Sequence, residues 1–216
     1  MTEAGFAALL DHLRAGLHDL NTRPGELPLL ASRQRPVSQT TRGAAVLLPI
    51  QRYPHPCLLL TVRSQRLQHH PGQIAFPGGG AHPQDQGPVG TALREAWEEV
   101  GLPIELAQPL GYLQRVETLT AFRVTPVVAW VARDYPLVLD RGEVESAFHL
   151  PLEVAFDQQQ YDFEKYEYHG VSYRLPVLVY GDWRIWGATA MILWQLCQLA
   201  QGWTGTTVSP LRSGSD

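Results

Sequence analysis

Glu95, Glu98 and Glu99 stand three and four residues apart in TALREAWEEVGL, so on a helix their carboxylates share one patch. Like charges at this spacing destabilise an isolated helix by roughly 0.2–0.5 kcal/mol per pair, and the neighbouring Arg94 balances only part of the charge. On its own, an acidic patch of this kind is most often a solvated helix face. Just upstream, however, lie Gly78, Gly79 and Gly80. Backbone without a Cβ can approach whatever the acids hold. Carboxylates beside open backbone suit a hard divalent cation that keeps room for water and substrate phosphates.

The elements that must place these groups can be read from pattern. A helix starts near Pro88, favoured in a first helical turn, and stops at Gly101. Val89, Ala92, Leu93, Ala96 and Val100 form its apolar stripe, opposite Arg94 and the acids. Ala44 to Ile50 and Cys57 to Arg63 are short apolar runs that predict buried strands, joined as a hairpin through the Pro54-His55-Pro56 turn. Residues 109–115, 122–131 and Val171 to Tyr180 also read as strands. Glu143, in RGEVESAFHLP, precedes a predicted helix or turn leading to Pro151. Phe6, Leu9, Leu10, Leu13, Leu17 and Leu20 recur at helical spacing over residues 3–20, and Ile185 to Ala200 reads as a long apolar core helix. Residues 21–43, with Arg33 and Arg35, read as an irregular connection, and 208–216 as a disordered tail. No repeat or linker divides the chain, so a single domain over 1–216 is expected.

The stretch from Gly80 to Leu102 resembles the Nudix hydrolase signature, G-x5-E-x7-R-E-U-x-E-E-x-G-U with U a bulky apolar residue. Gly80, Arg94, Glu95, Glu98, Glu99, Gly101 and Leu102 fall in register. Gln86 stands where the first Glu belongs, with Asp85 beside it, and Ala96 is a small occupant of an apolar slot. Upstream, LLLTVRSQRLQHHPGQIAFPGG (Leu58 to Gly79) resembles a narrower pattern of the coenzyme A pyrophosphatase branch, approximately LLTxRSxxLxxHxGQIxFPGG. Thr61, Arg63, Ser64, Leu67, His70, Gly72, Gln73, Ile74, Phe76, Pro77, Gly78 and Gly79 match it. Asp85 fits that branch, and IWGATA at 185–190 is similar to its C-terminal end.

The resemblance implies a Nudix-type α/β/α sandwich with a mixed β-sheet, the signature helix on one face and the C-terminal helix on the other. It implies Mg²⁺- or Mn²⁺-dependent hydrolysis of the coenzyme A pyrophosphate, giving 3′,5′-ADP and 4′-phosphopantetheine. Glu95 and Glu99 are then direct metal ligands, Glu98 a ligand or bridge to a second ion, and the Gly79 carbonyl a further ligand. Arg94 orients the carboxylates. Glu143 and Glu117 are candidate general bases, with Glu98 the alternative inside the signature. Arg63, Arg66 and His70 are expected near the 3′-phosphate, with Gln73 as a hydrogen-bonding partner. Two other readings stay open: the same chemistry on ADP-ribose, a dinucleoside polyphosphate or a nucleoside triphosphate, and a non-catalytic nucleotide sensor.

Composition narrows the partners. A net charge of −4 gives no basic surface for a nucleic-acid backbone. Two cysteines, Cys57 and Cys197, are too few for a disulfide framework or a Cys-based zinc site and sit among apolar neighbours as expected free thiols. No apolar run is long enough to cross a membrane, and acidic Glu3 and Asp11 do not suit a targeting signal, so a cytoplasmic location is expected. The expected partner is a small diphosphate substrate, with a homodimer as an option. There is no G-x-S-x-G, no P-loop ending and no H-E-x-x-H.

Overall fold

The apolar runs at 44–50 and 57–63 become strands that alternate between two buried layers rather than between core and solvent. Leu47 and Leu59 enter one layer; Leu48, Ile50, Leu58 and Leu60 enter the other. Strands this continuously apolar need cover on both faces, and helices supply it. The computed structural model describes residues 2–30, 41–52, 55–118, 122–168 and 171–201. Arg33 and Arg35 and the tail at 208–216 lie outside them, as do parts of the turns at 53–54 and 169–170.

In chain order the elements are α1 (Glu3–Gly16), β1 (Leu29–Leu30), β2 (Arg42–Gln51), β3 (Cys57–Arg63), β4 (Ile74–Ala75), β5 (Gly78–Gly80), α2 (Gly87–Val100), β6 (Ala107–Tyr112), β7 (Arg115–Glu117) and β8 (Phe122–Val131). There follow β9 (Val144–Pro151), α3 (Leu152–Ala155), β10 (Tyr161–Tyr168), β11 (Val171–Tyr180), β12 (Trp183–Ile185) and α4 (Gly187–Ala200). Among the described residues, nine strands form one mixed sheet, in which β2 and β8 run parallel from Arg42↔Phe122 to Ile50↔Trp130 and the other pairs are antiparallel except β1–β7. β10, β11 and β12 make a separate antiparallel sheet. Helix α2 packs on one face of the large sheet, through Ala92, Ala96 and Val100. Helices α1 and α4 cover the other, through Phe6, Leu9, Leu13, Leu193 and Leu196. The architecture is a mixed α/β fold with helices on both sides of a mixed sheet. No helix among the described residues is long and apolar enough to cross a membrane.

Several boundaries differ from the sequence reading, each for a local reason. The predicted helix at 3–20 ends at Gly16, because Leu17 is extended and His18 bridges Tyr112. The run at 109–115 is two strands, β6 and β7, since both pair with β8 around Pro126, which has no N–H to return to the ladder. Residues 144–151 are strand β9 rather than a helix or turn: antiparallel pairing with β3, from Cys57↔Pro151 to Arg63↔Val144, overrides the local signal. The irregular connection contains the short β1, parallel to β7. The sequence reading does not include β10, although Tyr161 and Phe163 alternate with Asp162 and Glu164 in a period of two. Cys57 and Cys197 form no disulfide and are buried, and burial pushes their thiols up to about 12 and about 11.

The β2–β3 hairpin has a consequence for chemistry. The two strands pair only at Ile50↔Leu58 and Gln51↔Cys57 and then part. β5 takes the vacated flank of β2, from Ala44↔Gly80 to Val46↔Gly78. The three glycines thus form a short strand under α2 rather than a free turn.

Candidate active site

Helix α2 ends in a left-handed glycine cap, with Gly101 at φ 69° and the N–H groups of Gly101 and Leu102 on the carbonyls of Trp97 and Ala96. Two further terminal carbonyls are taken by a strap from 138 to 143. Val138 N–H donates to Val100 O at 3.2 Å, and Asp140 N–H to Glu99 O at 3.1 Å. A tight turn follows, in which Asp140 Oδ1 accepts from Gly142 N–H at 2.8 Å and Asp140 O from Glu143 N–H at 3.0 Å. Ser64 N–H then holds the Glu143 carbonyl at 2.8 Å, where β3 ends. The strap therefore delivers Glu143 to the flank of α2. One carboxylate oxygen each from Glu95, Glu99 and Glu143 lies within 4.8 Å of the others.

The glycine strand closes the other side. Gly78 N–H donates to Glu99 Oε2 at 3.2 Å. A Cβ at Gly78 would lie 2.4 Å from Ala45 O and 2.6 Å from Val46 Cα, and one at Gly79 would lie 2.5 Å from Glu95 Oε1. Real side chains essentially never make such contacts, so fixed backbone excludes a Cβ at Gly78, whereas one at Gly79 would have to displace the Glu95 carboxylate.

Arg94 ties the cluster together. Its Nε and Nη2 grip Asp85 at 2.9 and 3.0 Å, Nη1 reaches Glu95 Oε1 and Glu98 Oε2 at 2.9 Å, and Nη2 also donates to Gly80 O at 3.0 Å. Asp85 is fixed in turn by Thr91 Oγ1 and His82 N–H, both at 2.8 Å. A planar guanidinium between fixed acceptors is a rigid brace, since its donors are set in a fork. Asp85 thus supplies a bidentate acid to Arg94, while Gln86, in the position of the absent Glu, only begins the helix without a side-chain cap. Sequence reading did not single out Thr91 or Asp140; a threonine three residues ahead of Arg94 carries no signal until Asp85 is seen beside it.

Burial and like charge raise the affinity of Glu95 and Glu99 for protons. Glu99 is 3% exposed, and burial pushes its carboxyl up to about 8, against the opposing pull of Gly78 N–H and Arg63 and with the help of Glu95 and Glu143. Glu95 is raised as well, by burial first, although Arg94 opposes it. Asp85 runs the other way, held well below the usual carboxylate range by its bonds to Arg94. Buried carboxylates crowded so that they prefer protons, next to backbone that only glycine allows, fit a divalent cation that would take the protons' place.

The remaining residues singled out from sequence separate in space. Glu98 is half-exposed at the rim, on Arg94. Arg63 and Gln73 are half-buried at the ends of β3 and β4, paired through Arg63 N–H to Gln73 O at 2.9 Å. Arg66 and His70 are exposed on the loop between those strands, where His70 takes the left-handed φ of 58°. Glu117 lies on β7, its carboxylate 3.6 Å from Arg123, and is not part of the acid cluster.

The model of the NUDIX domain matches residues 40–169. An uncharacterized Nudix hydrolase, NudL, of Yersinia pestis (strain Pestoides F) is 41% identical over 161 residues, 74% of this chain and 81% of its own. The NudL protein of Yersinia pseudotuberculosis serotype O:1b is similar to the same extent. Among solved structures, the Nudix hydrolase RenU of M. smegmatis aligns over 52% of this chain and 72% of its own, with 27% identity and a TM-score of 0.44. With the signature helix, its glycine strand and the family match falling on one site, the chain belongs to the Nudix hydrolase family.

Proposed function

We propose that this Nudix hydrolase cleaves the pyrophosphate of coenzyme A, or of its derivatives, to 3′,5′-ADP and 4′-phosphopantetheine. The observation that carries the reading is the run from Leu58 to Gly79, which resembles the coenzyme A branch pattern and occupies β3, the loop after it, β4 and β5, with the end of β3 and β5 bonded to the acid cluster through Ser64 and Gly78. Glu95, Glu99 and Glu143 would hold a Mg²⁺ or Mn²⁺ ion, with the Gly79 carbonyl as a further donor and Glu98 as a ligand to a second ion. Such an ion supplies Lewis acidity to the anhydride oxygens and lowers the pKa of bound water. Arg94 orients Glu95 and Glu98 and touches no phosphate, because its donors are spent on Asp85, Gly80 and the two glutamates. Glu143, exposed and ending a strap, accepts the proton of the attacking water. Arg66 and His70 are free to meet the 3′-phosphate; sequence groups Arg63 and Gln73 with them.

The test is a panel of coenzyme A, 3′-dephospho-coenzyme A, ADP-ribose and dinucleoside polyphosphates with Mg²⁺ or Mn²⁺, products identified by mass in water labelled with ¹⁸O. Fastest turnover of coenzyme A, with 3′,5′-ADP released, is expected. Faster turnover of ADP-ribose would move the assignment to another diphosphate, and no turnover of any would leave a nucleotide sensor.

A further inference from the structure

Sequence places Arg63 with Arg66 and His70, but the fold sets it apart from them. Leu59 packs in the α2 layer. Strand alternation carries Thr61 and Arg63 to that same face, the face on which Glu95 and Glu99 lie. Across the β3–β4 ladder, Thr61↔Ala75 is followed by Arg63 N–H on Gln73 O, so Gln73 shares the face. Arg63 also stands in register with Val144, next to Glu143. Its side chain therefore emerges between the strap that carries Glu143 and the helix that carries Glu99.

There the Arg63 Nε is buried without a hydrogen-bond partner among the described residues. The only other such donor among them, Arg123 Nε, belongs to a guanidinium with Glu117 3.6 Å away, whereas Arg63 makes no ion pair within the described residues. A buried unsatisfied donor on a charged group is costly. The Glu99 carboxylate lies near enough to feel its charge, yet does not close on it. An anion arriving over the cluster would supply the missing acceptors, and a guanidinium suits a phosphate in two-point contact.

We infer that Arg63 contacts the reacting diphosphate itself, with Gln73 beside it, and leaves the reading of the 3′-phosphate to the exposed Arg66 and His70. The inference deepens the proposed coenzyme A reading but needs only a substrate with a diphosphate, so the two can fail separately. The experiment compares Arg63→Gln, Arg63→Lys and Arg66→Ala with the wild type on coenzyme A, 3′-dephospho-coenzyme A and ADP-ribose, with Mn²⁺ affinity and thermal unfolding measured on each. Arg63→Gln is expected to lower kcat/KM on every substrate that the wild type turns over by the same factor, about 10²–10³, as for loss of one donor to developing charge. The preference for coenzyme A over its dephospho form stays within about twofold, and the Mn²⁺ Kd within about threefold, because the 3′-phosphate contact and the metal ligands are untouched. Arg63→Lys recovers part of the rate and carries the comparison if the Gln variant unfolds early. Arg66→Ala lowers the preference for coenzyme A over its dephospho form, the pattern that Arg63→Gln should lack. A collapsed preference in Arg63→Gln would overturn the inference in favour of 3′-phosphate recognition. A weakened Mn²⁺ Kd that accounts for the lost rate would overturn it in favour of a counter-ion for the carboxylates. If ADP-ribose alone is turned over, an equal loss on it sustains the role of Arg63 while the coenzyme A reading falls.

Discussion

Replacing Glu99 with Gln should stabilise the metal-free protein at alkaline pH. The Glu99 carboxyl rises from 4.5 to about 8 on folding, through burial above all and with Glu95 and Glu143 nearby. A group that prefers its proton in the folded state favours folding less as pH climbs, because the unfolded chain gives the proton up first. Stability of the metal-free wild type should therefore fall from about pH 5 to about pH 8 and level off above. At 1.36 kcal/mol for each tenfold change in proton affinity, the full cost is on the order of 5 kcal/mol. Relaxation would reduce it, and about 2–4 kcal/mol should be measured. Glutamine keeps an acceptor for Gly78 N–H, now 3.2 Å from Glu99 Oε2, and carries no charge to bury. Asp85 does not confound the window. Its carboxyl is depressed, so its contribution is complete above its unfolded value and is lost only in stronger acid. The assay is thermal unfolding in a chelator at pH 5 and pH 8.5. Glu99→Gln should match the wild type at pH 5 and exceed it at pH 8.5 by roughly 5–15 °C. Equal or lower stability of the variant at pH 8.5 would refute the reasoning about crowding.

Asp85→Asn should lower stability by about 2 kcal/mol, or roughly 4–8 °C in Tm, by unpairing Arg94. The cost stays below that of a fully buried pair because 21% of the Arg94 side chain is exposed. Calorimetry with Mn²⁺ should show weaker binding as well, since Glu95 loses its brace. The glycines should separate fold from function. Gly79→Ala pushes only the movable Glu95 carboxylate, so it should keep its fold by circular dichroism and lose at least about tenfold in rate. Gly78→Ala meets backbone at 2.4 Å and should fail to fold well, seen as a large drop in Tm or in soluble yield. Glu143→Gln should lower kcat at saturating Mn²⁺ by at least about 10²-fold; an unchanged rate would take Glu143 out of the chemistry.

The acid spacing, the glycines and the capped helix were legible because each is local: period, cap and missing Cβ are properties of neighbouring residues. Sequence reads Asp85 as the acid beside an absent Glu and as a feature of the branch pattern, whereas its bidentate hold on Arg94 emerges once the loop 81–86 folds back onto α2. Sequence names Glu143 a candidate general base beside Glu117, with nothing local to choose between them. What puts it beside Glu99 is a strap of 138–143 on the carbonyls of α2, a contact between segments about forty residues apart that no local pattern encodes. The same limit explains β9, where pairing with β3 outweighed a local helix or turn signal. Arg63 and Arg66 look alike in sequence, three residues apart; strand alternation sends one beneath α2, while the chain turns before the other.

The central claim is that Glu95, Glu99 and Glu143 form one cation site, and Mn²⁺ titration at pH 8 followed by electron paramagnetic resonance tests it most directly. The wild type should bind Mn²⁺, and Glu95→Gln, Glu99→Gln and Glu143→Gln should each weaken binding by about tenfold or more while remaining folded. Wild-type affinity retained in all three variants would contradict the account.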